Sequence, residues 1–300
     1  MDILLKNHLP YEGYGERFKR AISDRRILDE ECHIFSGQYE CADIIAKKVL
    51  SAISSGIAEI TVDYNCGSFK HISVKIYCSE DYSSFNLCKG NIYALNKEES
   101  TIKITLFVNS IVLAKTSRNK AEQEISSVII HEMMHGNVFM SRIASKSKRI
   151  KAIDDNPSYY EKVNWLSQNS ESEAVSDFAR ALYLANYNES QAMISQGWKE
   201  TKYQLRLFTH PYSMEHFKTA FMETPIRKDF SKAIDICKNM LAYPKLRDFV
   251  FKNLEENDVV LSGDSQKIVR NICNKLEKAL RTLVRSCCHY FLKSCEVTKS

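Results

Sequence analysis

No basic segment leading into a long apolar core opens this chain, which begins Met1-Asp2-Ile3-Leu4-Leu5-Lys6-Asn7-His8. A secretory signal peptide is therefore not expected. Nor does any apolar run approach the roughly 20 residues that span a bilayer. These two absences predict a soluble, cytoplasmic protein without a membrane partner. The ten cysteines include no C-x-x-C pair, so a disulfide framework is not expected and the thiols are read as free. The cluster Cys287-Cys288-His289 with Cys295 lies in a helical pattern, where cysteine acts as a small hydrophobe rather than a metal ligand. Internal repeats, low-complexity tracts and obvious linkers are also missing. The net charge of +5 is mild for 300 residues and does not by itself argue for a nucleic-acid partner. At 44% hydrophobic residues, the chain can bury one large core or two modest ones.

What is present is centred on Ser127-Val128-Ile129-Ile130-His131-Glu132-Met133-Met134-His135-Gly136. Residues four apart share one face of an α-helix. His131 and His135 can therefore aim a ring nitrogen at one ion. Glu132 is rotated roughly 100° from His131 and about 60° from His135. It cannot easily join the same ligand set, but it can reach a water beside the ion. Two imidazoles with an adjacent carboxylate are what zinc-assisted hydrolysis requires. The simpler possibility is a surface helix with two solvated histidines. The flanks oppose it, since Val128, Ile129, Ile130, Met133 and Met134 are apolar nearly all round, as in a buried helix. Buried imidazoles and a buried carboxylate need partners.

Around this motif the periodicity predicts an α+β chain. A helix is expected over 39–54, from the spacing of Ile44, Ile45, Val49, Leu50 and Ile53, with a short one over 24–32. Strands are expected over 57–64 and 71–78, joined as a hairpin through a turn at 65–68, with a short strand over 92–95 and a strictly alternating one over 102–108. The motif helix should run over 120–141, with Gly136 a mild break. The basic run 142–151 reads as a solvated face, and Asp154-Asp155-Asn156-Pro157 as a turn. A helix over 170–186 follows, and the chain is then helical throughout. Pro211, Pro225 and Pro244 mark breaks, and the last long helix covers 267–292.

A catalytic zinc takes three protein ligands and leaves one position open. No histidine lies between His135 and His210, so a carboxylate is sought. Glu173 and Asp177 sit four apart on a largely apolar helix, where paired acids call for a positive partner. A metal ion for Glu173, and the ring N–H of a liganding histidine for Asp177, would supply one for each. Alternatively, Ser170-x-x-Glu173 is a capping box that closes the helix start, with Asp177 solvated. Glu171 is a rival ligand, lacking an acid four residues on.

His131-Glu132-x-x-His135 followed by Glu173-Ala174-Val175-Ser176-Asp177 resembles the gluzincin metallopeptidases, the thermolysin-like clan. The resemblance covers about fifty residues, together with a compatible strand-rich segment upstream. It implies His131, His135 and Glu173 as ligands of Zn2+, Glu132 as general base and Asp177 as the acid holding a liganding histidine. The gap from His135 to Glu173 is longer than in thermolysin itself. Related enzymes stabilise the oxyanion with a downstream His or Tyr. Candidates are His210, His216, Tyr203 and Tyr212, with His210 first because the break at His210-Pro211 would expose it. Zincin-type sheets also pair an edge strand with the extended substrate, and residues 90–95 are the candidate edge.

The expectation is a zincin-like α+β fold. Residues 1–141 hold a small sheet and the active-site helix, and the helical part 142–300 carries the third ligand. The expected function is zinc-dependent endopeptidase activity on a polypeptide substrate. The competing expectation is a non-catalytic protein that keeps the zincin scaffold for binding or assembly, as in a phage or mobile element.

Overall fold

The computed structural model describes residues 36–66, 69–80, 87–96, 98–145 and 157–297. The expected helix over 24–32 and most of the basic run and the turn after it lie outside these residues. Helix α1 (Ser36–Ser54) buries Ile45, Val49 and Leu50 and is followed by a turn at Gly56, whose φ of 69° suits a residue without Cβ. Strands β1 (Glu59–Cys66) and β2 (Phe69–Ser79) form the expected antiparallel hairpin, with Val62 opposite Ile72. β3 (Cys88–Asn96) and β4 (Thr101–Asn109) complete a four-stranded mixed sheet of order β1-β2-β4-β3. β4 lies parallel to β2 and antiparallel to β3. β3 is thus an edge strand.

The alternation of β4 decides which way the sheet faces. Ile102, Ile104, Leu106 and Val108 are all fully buried, beside Ile72 and Val74 of β2. α1 and the motif helix cover that face. β3 is longer than its local signals suggest, because Gly90 and Asn91 are poor strand formers. Pairing with Leu106 and Thr105 of β4 supplies the ladder that propensity does not. A register shift between Ile92 and Ala94 bends this edge near the motif helix.

Asn109 caps the short helix α2 (Ser110–Lys115), its side chain accepting from the backbone N–H groups of Ile111 and Val112 at 3.1 Å. Helix α3 (Arg118–Ser145) then carries the motif, starting two residues earlier and running four further than its pattern indicates. Gly136 is not a break in it. A Cβ there would lie 2.7 Å from Phe69 Cζ and 2.8 Å from Ile102 Cδ1, so glycine lets the helix rest directly on the sheet. The division expected between 141 and 142 falls inside this helix.

The rest is helical: α4 (Pro157–Asn169), α5 (Glu173–Leu184), α6 (Tyr187–Leu205), α7 (Met214–Met222), α8 (Pro225–Ala242), α9 (Pro244–Glu256) and α10 (Ser265–Val297). Pro225 and Pro244 open α8 and α9, where proline's fixed φ suits the first turn. α6 packs against α3 on one side and α10 on the other, and one hydrophobic core runs from the sheet to α10. Cys287 and Cys288 are buried in it. Among the described residues, no helix is long and apolar enough to cross a membrane.

Candidate metal centre

α3 presents its apolar residues Ile125, Ile129, Ile130, Met133 and Met134 to the interior, all fully buried. That packing fixes the rotation of the helix and turns His131 and His135 toward the first turn of α6. Their Nε2 atoms stand 3.0 Å apart. Glu189 of α6 completes the cluster, with Oε2 3.5 Å from His131 Nε2 and Oε1 3.5 Å from His135 Nε2. The three donor atoms all lie within 4.8 Å of one another, the only such group of His, Cys, Asp or Glu among the described residues.

The cluster fits a divalent metal on two further grounds. Glu189 Oε2 and His131 Nδ1 are buried and make no hydrogen bond, a cost that a ligand at the carboxylate would offset. Two imidazole nitrogens and one carboxylate are also a donor set of catalytic zinc sites. Burial pushes the Glu189 carboxyl up, but His131 and His135 outweigh it and hold it below the usual carboxylate range. Glu189 is therefore ionised, as a ligand must be.

Glu132 stays out of this triangle. It is buried against β3 and accepts a hydrogen bond from the backbone N–H of Ile92. Burial raises its pKa; the two histidines pull it back and Glu189 raises it further. A Cβ on Gly90 would sit 2.7 Å from Glu132 Cγ and from Val128 Cγ1. Glycine at that position is what lets the edge strand come down onto the carboxylate. Beside them opens a cleft of about 320 Å3 lined by Gly90, Val128, His131, Glu132, Tyr183 and Met193, among others. Tyr183 is partly buried, and its hydroxyl is held protonated well above the ordinary range by desolvation and by the Glu189 carboxylate it hydrogen-bonds.

α1 braces the two helices that meet here. Lys199 of α6 is fully buried, and its ammonium bonds Asp43 of α1. Asp43 also accepts from Ser126 Oγ of α3 at 2.9 Å and from Tyr203 of α6 at 3.3 Å. Further along α3, Asn137 and Gln38 exchange two amide hydrogen bonds of 2.8 and 3.1 Å.

His131 and His135 thus meet as the sequence indicates, but Glu173 and Asp177 are not beside them. Both acids find their positive partner in Lys232 of α8, at 3.1 Å from Glu173 Oε1 and 3.0 Å from Asp177 Oδ1. The Glu173 side chain is 81% exposed, and the carboxylate that stands beside the two imidazoles is Glu189 rather than the expected Glu173. The cause is the face of α5 that carries both acids, which looks toward α8 rather than α3. The capping box does not form either: Ser172 is the N-cap of α5, and Ser170 Oγ bonds only to the Ser172 backbone. His210 is exposed in the loop before α7, its ring against Tyr212. His216 closes the capping box of α7 with Ser213, and Tyr203 is held by Asp43. None of these three, nor Tyr212, lines the cleft.

Glu189 and Tyr183 are the residues that the sequence pattern does not single out. One signal was available for Glu189. At spacings of seven and four, Glu189, Gln196 and Glu200 share a face of α6, three polar residues in line on a helix otherwise packed on both sides. Tyr183 carries no such signal. No protein-family model matches this chain, and no curated protein or solved structure was found similar to it.

Proposed function

We propose that this protein is a zinc-dependent peptidase whose metal is held by His131, His135 and Glu189. The observation that carries the reading is the convergence of these three side chains beside a buried fourth, Glu132, at the foot of an edge strand. Bound zinc would polarise a carbonyl and make water acidic enough to attack at neutral pH. Glu132, with its proton affinity raised by burial, takes the proton of the attacking water and returns it to the leaving amine. The Ile92 N–H holds the carboxylate in place for both transfers. The Tyr183 hydroxyl, which rests on Glu189, would be released toward the carbonyl oxygen once that carboxylate takes a metal, the role expected of His210 and its alternatives from the resemblance. Apart from the Ile92 N–H, edge strand β3 leaves its outer backbone groups for an extended polypeptide, which it would align past Gly90 and Glu132.

The test is elemental analysis of bound zinc combined with digestion of an unfolded protein. The wild type should bind one zinc and cleave. Glu132→Gln should keep zinc and lose cleavage. Normal cleavage by Glu132→Gln would refute the general base. A zinc-loaded wild type that digests nothing would leave the scaffold reading in its place.

A further inference from the structure

Beyond the cleft lies a second cavity of about 330 Å3, between the first turns of α3 and the last turns of α6. It shares Cys88, Val128 and Gln196 with the cleft's wall. A chain lying along β3 and past Glu132 can therefore drop a side chain into it. The side walls contain Val128 and Pro225, and the carboxylates Glu124 and Glu200 stand in the lining.

Glu200 is the informative one. Its Oε2 accepts from the Ile226 N–H at 3.1 Å and its Oε1 from Gln196 Nε2 at 3.2 Å. Two neutral donors hold the group in place and do not neutralise it. The charged groups that act on it most are acids, Asp229 and Glu124. A buried carboxylate without a cation is costly, and burial pushes this one up to about 7. Glu124 is partly buried and accepts from the Leu87 backbone. Its cationic neighbour, Lys120, is 3.9 Å away and 67% exposed at the rim. The cavity thus sets the carboxylates Glu200 and Glu124 beside the apolar Val128 and Pro225, with Lys120 also in its lining, and it shares part of its wall with the cleft.

We propose that this cavity receives a lysine or arginine side chain of the polypeptide substrate, its methylenes against Val128 and Pro225 and its cationic head on Glu200 and Glu124. The substrate class rests on the peptidase reading, and the experiment separates the two. Zinc-loaded wild type, Glu200→Gln and Glu124→Gln digest a proteome-derived peptide mixture, and cleavage sites are mapped by mass spectrometry. In the wild type, Lys or Arg should be enriched about tenfold or more at one fixed position relative to the cut, as a close charge pair allows. Glu200→Gln should abolish that enrichment and Glu124→Gln should weaken it. Wild-type cuts without a basic preference, or a preference that survives in Glu200→Gln, overturn the proposal.

Binding gives a readout without cleavage. Zinc-loaded Glu132→Gln protein is titrated with two fluorescein-labelled peptides that differ only in one lysine or norleucine. The lysine peptide should bind about tenfold tighter or more, and adding Glu200→Gln should remove the difference. That result upholds the acidic cavity even if the wild type cleaves nothing and the peptidase reading fails. Equal affinities, or no binding of either peptide, overturn it.

Discussion

Glu173→Ala and Glu189→Ala separate the third ligand expected from the sequence from the one we propose. Glu173 is a surface residue, 81% exposed, and its partner Lys232 is 58% exposed. Such an ion pair contributes about 0–1 kcal/mol, and Lys232 keeps Asp177 at 3.0 Å. Glu173→Ala should therefore leave zinc affinity unchanged within about twofold, at a stability cost near the low end of that range. Glu189 puts one carboxylate oxygen 3.5 Å from each imidazole nitrogen. Losing a residue that merely orients a ligand already costs 10–100-fold in metal affinity. Removing a direct ligand should exceed that, so at least about 100-fold, or about 2.7 kcal/mol, is expected for Glu189→Ala. The assay is competition for zinc with a chromophoric chelator, checked by elemental analysis after dialysis. A Glu173→Ala protein that loses zinc, or a Glu189→Ala protein that holds it as the wild type does, would refute the assignment.

Three further perturbations test the surroundings. Gly90→Ala places a methyl 2.7 Å from Glu132 Cγ and the stiff Val128 Cγ1; thermal unfolding should show a cost of about 1–3 kcal/mol, and peptide hydrolysis should fall about 100-fold with zinc retained. Tyr183→Phe should keep zinc and lower kcat about 100-fold, so unchanged kcat would remove its hydroxyl from the reaction. Glu200 holds its proton up to about 7 in the fold against an ordinary 4.5. Between those values the folded state binds more protons than the unfolded, and stability falls as pH rises. Glu200→Gln lacks that penalty and should gain on the wild type from pH 4.5 to 7, by up to about 3 kcal/mol above pH 7. Denaturant melts at pH 4 and pH 8 measure it, and equal gains at both would show that the carboxylate is not buried at a cost. A natural carboxylate that destabilises the fold is what a binding role would retain.

Much of the scaffold follows from local pattern. The i, i+4 histidines on an apolar helix dictate that both rings share a buried face. The strict alternation from Ile102 to Val108 dictates the strand and its inner side. The same local rules misread β3 and Gly136, because both are settled by contacts across the fold: β3 by its ladder to β4, Gly136 by the approach of Phe69 and Ile102.

His131, Glu132 and His135 are determined by the sequence alone, since five consecutive residues of one helix fix their mutual geometry whatever surrounds them. The carboxylate that meets the two imidazoles is not. Glu173-Ala174-Val175-Ser176-Asp177 has a suitable spacing, but spacing along α5 says nothing about which neighbour that face meets, and it meets Lys232. Glu189 stands 58 positions beyond His131 on a different helix. It reaches the imidazoles because α6 packs between α3 and α10, with the buried Lys199–Asp43 pair joining it to α1. A carboxylate drawn from a separate helix is placed by the packing of the whole core, and no local pattern encodes that.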